Sequence, residues 1–165
     1  HVTDMPVAEW IYGADGRKLA ETWRGSPQAY LGAAVAGFPN MFLLVGPNTG
    51  LGHNSIVFMI ESQIHYLMEC LRFMDRGGLG VVEVREEVQR RYNEEIQERL
   101  RGTVWSSGGC ASWYIDENGR NTTIWPGSTW PFRRRLHRFA PGDYDLRPRT
   151  GPPLHSADPS PAFAS

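Results

Sequence analysis

The sequence predicts an α/β fold that contains a buried strand–loop–helix unit, a second amphipathic helix and a small antiparallel β layer. The first observation is the continuous apolar run Met41–Val45, which has the length of a strand and suits one covered on both faces. The second is the glycine-rich loop Gly46–Ser55 that follows this run. The third is a helical apolar period that begins directly after the loop.

The first long helix is predicted from Ser55 to about Arg76. Its apolar stripe consists of Ile56, Ile60, Ile64, Leu67, Leu71 and Met74. The first turn, residues 56–60, is apolar all round, so we expect the start of the helix to be buried on every side. Asn54 is a good N-cap residue, and Gly77-Gly78 supplies a stop signal.

The second half of the chain has weaker signals. We expect a strand at Val81–Val84 and an amphipathic helix from about Glu86 to Arg101, with a stripe of Val88, Tyr92, Ile96 and Leu100. In residues 103–139 aromatic residues alternate with Gly, Ser and Asn, which indicates irregular β structure with a hairpin turn at Asn118-Gly119. The composition from Pro148 onward is typical of a disordered tail, so the predicted domain spans 1–147 and the tail 148–165.

Composition restricts the classes of function. The chain has 165 residues and a formal net charge of -1, which predicts no bulk attraction to nucleic acid or to a membrane surface. No apolar stretch reaches the roughly 18 residues of a membrane span. Cys70 and Cys110 are too few for a disulfide framework, so a buried free thiol at Cys70 and a cytoplasmic location are expected. Because the first residue is His1, we expect a fragment of a longer protein.

The loop Gly46–Ser55 is the main candidate site. A strand that leads through a glycine-rich turn into a helix start exposes several backbone N–H groups at one point, and the helix dipole adds about half a positive charge there. Such a point suits an anion or a group that becomes anionic. The alternative is a tight strand–helix connection with no ligand, because neither a P-loop nor a GxGxxG spacing is present.

Other candidates have less support in the sequence. His53 and Ser55 do not form the GxSxG elbow of a hydrolase, and the five histidines lack metal-ligand spacing. The basic cluster Arg133–Arg138 lies among aromatic residues and could bind single-stranded nucleic acid. The net charge favours the other interpretation, a solvated strand.

Seven segments together resemble one family, in the family's own order from about Thr3 to Tyr144. These segments are TDMP, DGRKLAETW, PQAYLG, AGFPNMFLLVGPNTGLGHNSIVFMIESQ, RYNEEIQ, VWSSGGCASWY and GRNTTIWPGSTW. They resemble the C-terminal third of the class B flavin monooxygenases, specifically the Baeyer–Villiger monooxygenases near the 4-hydroxyacetophenone monooxygenase branch.

The resemblance implies an enzyme that uses NADPH to reduce FAD, forms a C4a-peroxyflavin with O2 and inserts one oxygen atom beside a ketone carbonyl. The family's GxGxxG motifs, signature motif and catalytic arginine have no counterpart in this chain. We therefore expect no catalytic residue here, and a C-terminal fragment that is inactive without the N-terminal FAD and NADP domains of the same polypeptide.

The resemblance also implies roles for particular residues. Five are expected to contact FAD: Gly46, Pro47, Asn48, Ser55 and Ile56. Three are expected to border the substrate pocket: Gly52, His53 and Asn54. Trp113, in a segment that resembles the family's mobile loop, is expected to contact NADP, with a core position in the β layer as the alternative.

Two alternative functions stay open at the level of sequence. One is oxidation of nitrogen or sulfur by the same kind of flavin enzyme. The other is a stand-alone module that binds an aromatic or sugar ligand through the tryptophan-rich β layer. The natural ketone, the regiochemistry and the oligomeric state are not encoded in any motif of this sequence.

Overall fold

Two long helices and a two-stranded antiparallel sheet organise the described part of the chain, which comprises residues 5–50, 55–101, 103 and 114–150 of a computed structural model. The elements follow in order: a 3-10 turn at Pro6–Glu9, α1 at Leu19–Trp23, α2 at Ile56–Arg76, β1 at Leu79–Val84, α3 at Glu86–Leu100, α4 at Thr129–Arg135, a 3-10 turn at Pro141–Asp143, and β2 at Tyr144–Pro148. This mixture of helices and strands confirms the predicted α/β class.

The sheet and the helices share one main core. Strands β1 and β2 pair antiparallel, with Val82 opposite Leu146 and Val84 opposite Tyr144. Helix α2 packs on β1 and on α4, and the buried side chains of these elements form one cluster with those of α3. A smaller cluster lies under α1 around Leu19 and Trp23.

Helix α3 agrees with the sequence in both extent and orientation. It ends at Leu100, one residue before the predicted end, and all four residues of its predicted stripe are buried. Strand β1 also lies where a strand was predicted, although it begins two residues earlier, at Leu79.

Helix α2 has the predicted length, but its buried face is not the predicted one. The buried residues are Met59, Ser62, Gln63, Tyr66 and Cys70. Three residues of the predicted stripe, Ile56, Ile64 and Leu71, are exposed, as is Val57 in the first turn. The polar residues tolerate burial because they are hydrogen-bonded: the Ser62 hydroxyl donates to the Phe58 carbonyl, and the Gln63 amide bonds three backbone groups.

The buried strand predicted at Met41–Val45 does not form. This segment is irregular, with only an isolated bridge between Phe42 and Ala34, and Leu44 and Val45 are exposed. Val45 has a φ of 56°, in the left-handed region, which interrupts an extended backbone. Met41, Phe42 and Leu43 pack against the two core clusters, whereas Leu44 and Val45 do not, so the apolar run is not buried as a whole.

The prediction for residues 103–139 is partly correct. Ile115 and Asn121 form a bridge around the turn at Asn118-Gly119, and Gly119 has the positive φ that this turn requires. The basic cluster, however, does not lie on a strand: Arg133–Arg135 form the last turn of α4, where the helix dipole favours cations. The only sheet of the described residues is instead formed by β1 and β2.

Further expectations concern the thiols, the membrane and the tail. Cys70 is a buried free cysteine, as predicted, whereas Cys110 and residues 151–165 lie outside the described part of the chain. Within that part, no helix has the length and apolar character needed to cross a membrane. Strand β2 continues to Pro148, so the predicted tail boundary at 148 falls on the last residue of a strand.

Four tyrosines meet in the main core: Tyr30, Tyr66, Tyr92 and Tyr144. Burial raises the pKa of each phenol above its ordinary value near 10. Tyr92 is 5% exposed, and its hydroxyl has no hydrogen-bond partner among the described residues. Burial likewise raises the pKa of the Cys70 thiol to about 11.

These pKa shifts predict a loss of stability in alkali. Since the folded state holds the phenols neutral while the unfolded state ionises near pH 10, the stabilisation is complete below pH 10 and decreases above it. A fully buried phenol loses about 1.4 kcal/mol per pH unit in that range. We expect Tyr92→Phe to unfold in urea like the parent at pH 8 and to be more stable than the parent at pH 11. An equal decrease in both proteins would contradict burial of the Tyr92 hydroxyl.

Candidate functional site

A buried glutamine joins α2 to the loop that precedes it. Gln63 is 2% exposed, and its Oε1 accepts a hydrogen bond of 2.9 Å from the Val45 N–H. Its Nε2 donates to the carbonyls of Leu31 and Gly32, at 3.3 and 3.0 Å. One side chain thus holds three backbone groups from two separate turns. Because the two bonds to the Leu31 and Gly32 carbonyls are buried, breaking this arrangement would leave buried polar groups unpaired.

The other side of the loop is bound by an asparagine. Asn48 is 2% exposed, and its Nδ2 donates to the carbonyls of Asn121 and Ile124, at 2.8 and 3.0 Å. Backbone hydrogen bonds extend this contact, from the Asn48 N–H to the Thr122 carbonyl and from the Gly50 N–H to the Thr123 carbonyl. Asn48 has a φ of 56°, a conformation that asparagine tolerates better than most residues. The loop is therefore held on both sides.

The loop also packs closely against the turn at Gly32. A Cβ atom added to Gly46 would lie 2.3 Å from the Gly32 carbonyl oxygen, a distance that real Cβ atoms do not adopt. Gly32 itself has a φ of 61°, and a Cβ there would lie 2.2 Å from Cγ2 of Thr49. Both glycines are needed for this close backbone approach.

The start of α2 is exposed beside this fixed loop. Ser55 is the N-cap residue, and its side chain makes no capping hydrogen bond. Ile56 and Val57 are 38% and 57% exposed. The N–H groups of the first turn of a helix have no intrahelical partner, and the helix dipole makes this end partly positive. An apolar surface next to free N–H donors suits a flat ring with a partly anionic edge.

An aromatic and cationic group lies next to the same helix start. Phe58 contacts Trp130 edge-on, with ring centroids 6.2 Å apart, and the Arg133 guanidinium lies 4.9 Å from the centre of the Phe58 ring. Trp130 is 73% exposed. This end of the molecule therefore presents apolar, aromatic and positive groups together.

An apolar stripe continues along the outward face of α2. Val57, Ile64, Met68 and Leu71 lie on this face and are all exposed, between 42% and 57%. The stripe is about 21 Å long at 1.5 Å per helical residue. Leu44 and Val45 are further exposed apolar residues, and the Val45 N–H bonds Gln63 of this helix. Contiguous apolar surface of this extent is typical of an interface rather than of a solvent-facing helix.

The structure brings together only some of the residues that the sequence singled out. Gly46, Pro47 and Asn48 are buried, and the Asn48 side chain bonds the segment 121–124. Ser55 and Ile56 are exposed at the helix start. The predicted pocket residues Gly52, His53 and Asn54, and the predicted NADP contact Trp113, lie outside the described residues. Among the described residues, no group of His, Cys, Asp or Glu could hold a metal ion.

Gln63 was not singled out from the sequence. The available signal was a glutamine at the edge of the predicted apolar stripe of a helix, seven residues after Ile56 and four before Leu67. A polar residue at the edge of such a stripe is ordinarily solvent-exposed, so its burial becomes visible only when the partner turn at Gly32 is known.

Relatives with curated names match nearly the whole chain. A Baeyer–Villiger monooxygenase of Streptomyces coelicolor is 52% identical over 150 residues, which cover 90% of this chain and 29% of the relative. A Baeyer–Villiger monooxygenase of Pseudomonas aeruginosa is 53% identical over 137 residues, 82% of this chain and 26% of the relative. An FAD-binding monooxygenase of Aspergillus niger is 37% identical over 141 residues. No family model matches the sequence.

The chain is a homologue of one segment of the Baeyer–Villiger monooxygenases. It spans less than a third of the length of the two bacterial relatives. The resemblance to this family that the ordered segments indicate is therefore confirmed, while the assignment to the 4-hydroxyacetophenone monooxygenase branch stays a prediction.

Solved structures of the same kind share the fold. An oxidised steroid monooxygenase bound to NADP superposes with a TM-score of 0.69 at 25% identity, over 84% of this chain and 27% of that one. A cyclohexanone monooxygenase from Rhodococcus sp. Phi1 bound to NADP+ also gives a TM-score of 0.69, at 22% identity and with the same coverage of both chains. The described elements thus adopt an arrangement that recurs within larger flavoenzymes.

The role of Asn48 in holding the loop predicts a specific loss of stability. Asn48→Asp keeps the shape of the side chain but turns an oxygen towards the two carbonyls that the amide now bonds. We expect the free energy of unfolding to fall by at least about 3 kcal/mol, because two buried hydrogen bonds are lost and the carbonyls stay unpaired.

Asn40→Asp is the matched control for urea unfolding, since Asn40 also has a positive φ but lies at the surface. It loses one hydrogen bond, from Nδ2 to the Gly80 carbonyl, at a cost of about 1 kcal/mol. Equal losses in the two variants would contradict the proposed importance of the Asn48 contacts.

Proposed function

We propose that this chain is part of an FAD- and NADPH-dependent monooxygenase that inserts one oxygen atom from O2 beside the carbonyl of a ketone substrate. Two bacterial relatives more than half identical to it are named Baeyer–Villiger monooxygenases, and a fungal relative is named an FAD-binding monooxygenase. Two structures with this fold are described as bound to NADP or NADP+. These names support an oxygenation that depends on a flavin and a nicotinamide cofactor.

The observation that carries the proposal is the exposed start of α2 beside a loop that is held on both sides. When bound, the flavin supplies the acceptor for hydride and the centre that activates O2. The chain's own contribution is electrostatic. The Ile56 N–H and the positive end of the helix dipole stabilise negative charge on the pyrimidine edge of the ring, and the Ser55 hydroxyl is a second donor beside them.

The residues around the helix start divide into two roles. Gly46, Pro47 and Asn48 act through backbone position, because they are buried and fix the loop against Gly32 and the segment 121–124. Gly52, His53 and Asn54 connect this loop to the helix start, and we propose that they border the ketone.

Trp113 belongs to the same proposal through the resemblance of its segment to the family's mobile loop. We propose that its ring or its indole N–H contacts NADPH when that loop closes.

The apolar stripe on α2 supports a chain that functions inside a larger polypeptide. Val57, Ile64, Met68 and Leu71 would be costly to leave in water along a whole helix face, and the named relatives are more than three times as long as this chain. We propose that the FAD-binding part of the same polypeptide covers this face. A stand-alone binding module would not retain such a stripe.

The contribution of the Ile56 N–H can be tested by Ile56→Pro in the complete polypeptide. Proline is well tolerated at the first position of a helix, and Ser55 before it has an extended backbone with ψ of 119°, so α2 should form normally. The N–H is lost together with the isoleucine side chain. A charge-assisted hydrogen bond is worth about 1.5–3 kcal/mol. For a two-electron couple this lowers the flavin reduction potential by about 30–60 mV.

Ile56→Ala is the control, because it removes the same side chain but keeps the N–H. The reduction potentials of both variants are measured by equilibration with a redox dye. The proposal requires a decrease in Ile56→Pro that Ile56→Ala does not share. Equal potentials in the two variants would show that this N–H does not face the ring.

Covering of the apolar stripe predicts a difference between the isolated chain and the complete polypeptide. In the complete polypeptide, Ile64→Gln and Met68→Gln should each lower the free energy of unfolding by about 2 kcal/mol, because a buried apolar side chain is lost. In the isolated chain both residues are exposed, at 43% and 42%, so the same substitutions should have little effect.

Arg72→Gln is the matched control on the same helix, since Arg72 is exposed and forms only a surface ion pair with Glu69. It should change stability by less than about 1 kcal/mol in both settings. Unfolding in urea provides the comparison. If Ile64→Gln and Met68→Gln behaved like Arg72→Gln in the complete polypeptide, the stripe would not be an internal interface.

A further inference from the structure

Four tyrosine rings form a connected group that the proposed oxygenation does not use. Tyr30 lies edge-on to Tyr92 and to Tyr144, with ring centroids 5.4 and 6.1 Å apart. The Tyr66 hydroxyl donates a hydrogen bond of 3.0 Å to the Tyr144 hydroxyl. Each of the four is therefore in contact with at least one other. Phenylalanine would be sufficient for packing at these four positions, but each position carries an oxidisable phenol.

The four phenols differ in where their protons can go. The Tyr30 hydroxyl donates to Oδ2 of Asp143 at 2.5 Å, which is a short bond to a carboxylate. Tyr66 donates only to another phenol, and the Tyr92 hydroxyl has no partner among the described residues. A phenol that loses an electron becomes a strong acid and must release its proton. Of these three phenols, only Tyr30 has a base in contact to receive it.

We propose that this tyrosine cluster collects one-electron oxidation and that the resulting radical settles on Tyr30, with Asp143 as the proton acceptor. The oxidant is a peroxide-derived radical. It gains one electron and becomes an anion, while the Tyr30 O–H bond breaks and its proton moves to the Asp143 carboxylate. A thiolate then gives one electron to the Tyr30 radical and becomes a thiyl radical, and the proton returns from Asp143 to the phenol oxygen.

The position of Tyr30 suits the end point of such a cluster. Tyr66, Tyr92 and Tyr144 are buried at 1%, 5% and 2% exposure, whereas Tyr30 is half-buried. Tyr30 and Asp143 line a shallow open cleft that also contains Arg91. Oxidation that begins on a buried ring thus reaches a residue that a small soluble reductant can approach. The contacts between adjacent rings provide the path, because electron transfer weakens steeply with distance.

The burial of the cluster supports the same assignment. Burial, and then the hydrogen bond to Asp143, raise the pKa of the Tyr30 phenol, so the residue is a neutral proton donor at rest. The buried Cys70 thiol stays protonated, because burial raises its pKa to about 11. The phenols are protonated as well, so the hydrogen bond to the Asp143 carboxylate is what distinguishes Tyr30 as a donor in this core.

The test is photochemical oxidation of the complete polypeptide with a ruthenium tris-bipyridine sensitiser and persulfate. A nitrone spin trap marks the radicals, and peptide mass spectrometry locates the adducts. Tyr12 is the internal reference, because it is 60% exposed and lies outside the cluster. We expect more adduct on Tyr30 than on Tyr12, although Tyr12 is more accessible. A ratio that follows exposure instead would overturn the proposal.

Variants test the two parts of the proposal separately. Asp143→Asn should abolish the preference for Tyr30, and Asp143→Glu should restore it, while Asp145→Asn, at a carboxylate that pairs with Arg85 on the surface, should leave it unchanged. The double variant Tyr92→Phe/Tyr144→Phe should lower the Tyr30 adduct, since both ring neighbours are then inert. An undiminished Tyr30 adduct in Asp143→Asn would overturn the role of Asp143 as proton acceptor. An undiminished adduct in the double variant would overturn the transfer of oxidation through the neighbouring rings.

The adduct ratio between Tyr30 and Tyr12 does not depend on the oxygenation reaction. The readout uses no flavin turnover, so a failure of the proposed monooxygenase activity would leave the adduct ratios unchanged. Circular dichroism of each variant establishes that the fold is retained. A loss of adduct with an intact fold in Asp143→Asn is the result that the proposal requires.

Discussion

The buried side chain of Gln63 is the contact on which the rest of the site depends. It is the only described residue of α2 whose side chain bonds the backbone of both the Gly32 turn and the loop at Val45. The position of the helix start is thereby tied to the position of the loop before it. Asn48 then extends this tie to the segment 121–124. Among the described residues, the hydrogen bond from the Val45 N–H to the Gln63 amide joins α2 to the segment that leads into the loop.

This connection explains why a site can be exposed and still well defined. The first turn of α2 presents Ile56 and Val57 to the outside, while residues 46–49 of the preceding loop are buried and hydrogen-bonded. A ligand that meets the first turn would therefore meet N–H donors whose positions are set by the helix. Preorganised dipoles of this kind stabilise developing charge without reorganising at the moment of reaction. The exposed apolar stripe beyond the first turn continues the same surface.

The sequence predicted regular helices well and irregular backbone poorly. Helix α3 was correct because its charged residues face solvent and its apolar stripe is buried, so that amphipathic spacing and burial agree, with Asn93 as a buried polar exception. In α2 they disagree: the aliphatic stripe faces outward, and Gln63 is buried by a partner that lies 31 residues away in sequence. The segment Met41–Val45 failed as a strand because Val45 has a left-handed backbone, and its last two apolar residues, Leu44 and Val45, are exposed. Spacing alone does not say which apolar face is covered by this chain.

The resemblance to a family was a stronger guide to the site than any local pattern. Glycine spacing in the loop fitted no phosphate-binding motif, and the alternative of a ligand-free connection could not be decided from residue type. The ordered set of segments decided the family, which the named relatives confirm. The roles proposed for Ser55 and Ile56 rest on that family, because a bare helix start has many uses.

Amide hydrogen exchange tests the central claim most directly, that the start of α2 faces the flavin ring. Exchange is measured by mass spectrometry on the complete polypeptide with and without FAD, for peptides that resolve residues 55–58 and 98–101. The account predicts that FAD slows exchange at the Ile56 and Val57 amides and leaves the end of α3 at Leu100 unchanged. Unchanged exchange at Ile56 and Val57, with FAD bound elsewhere in the polypeptide, would contradict it.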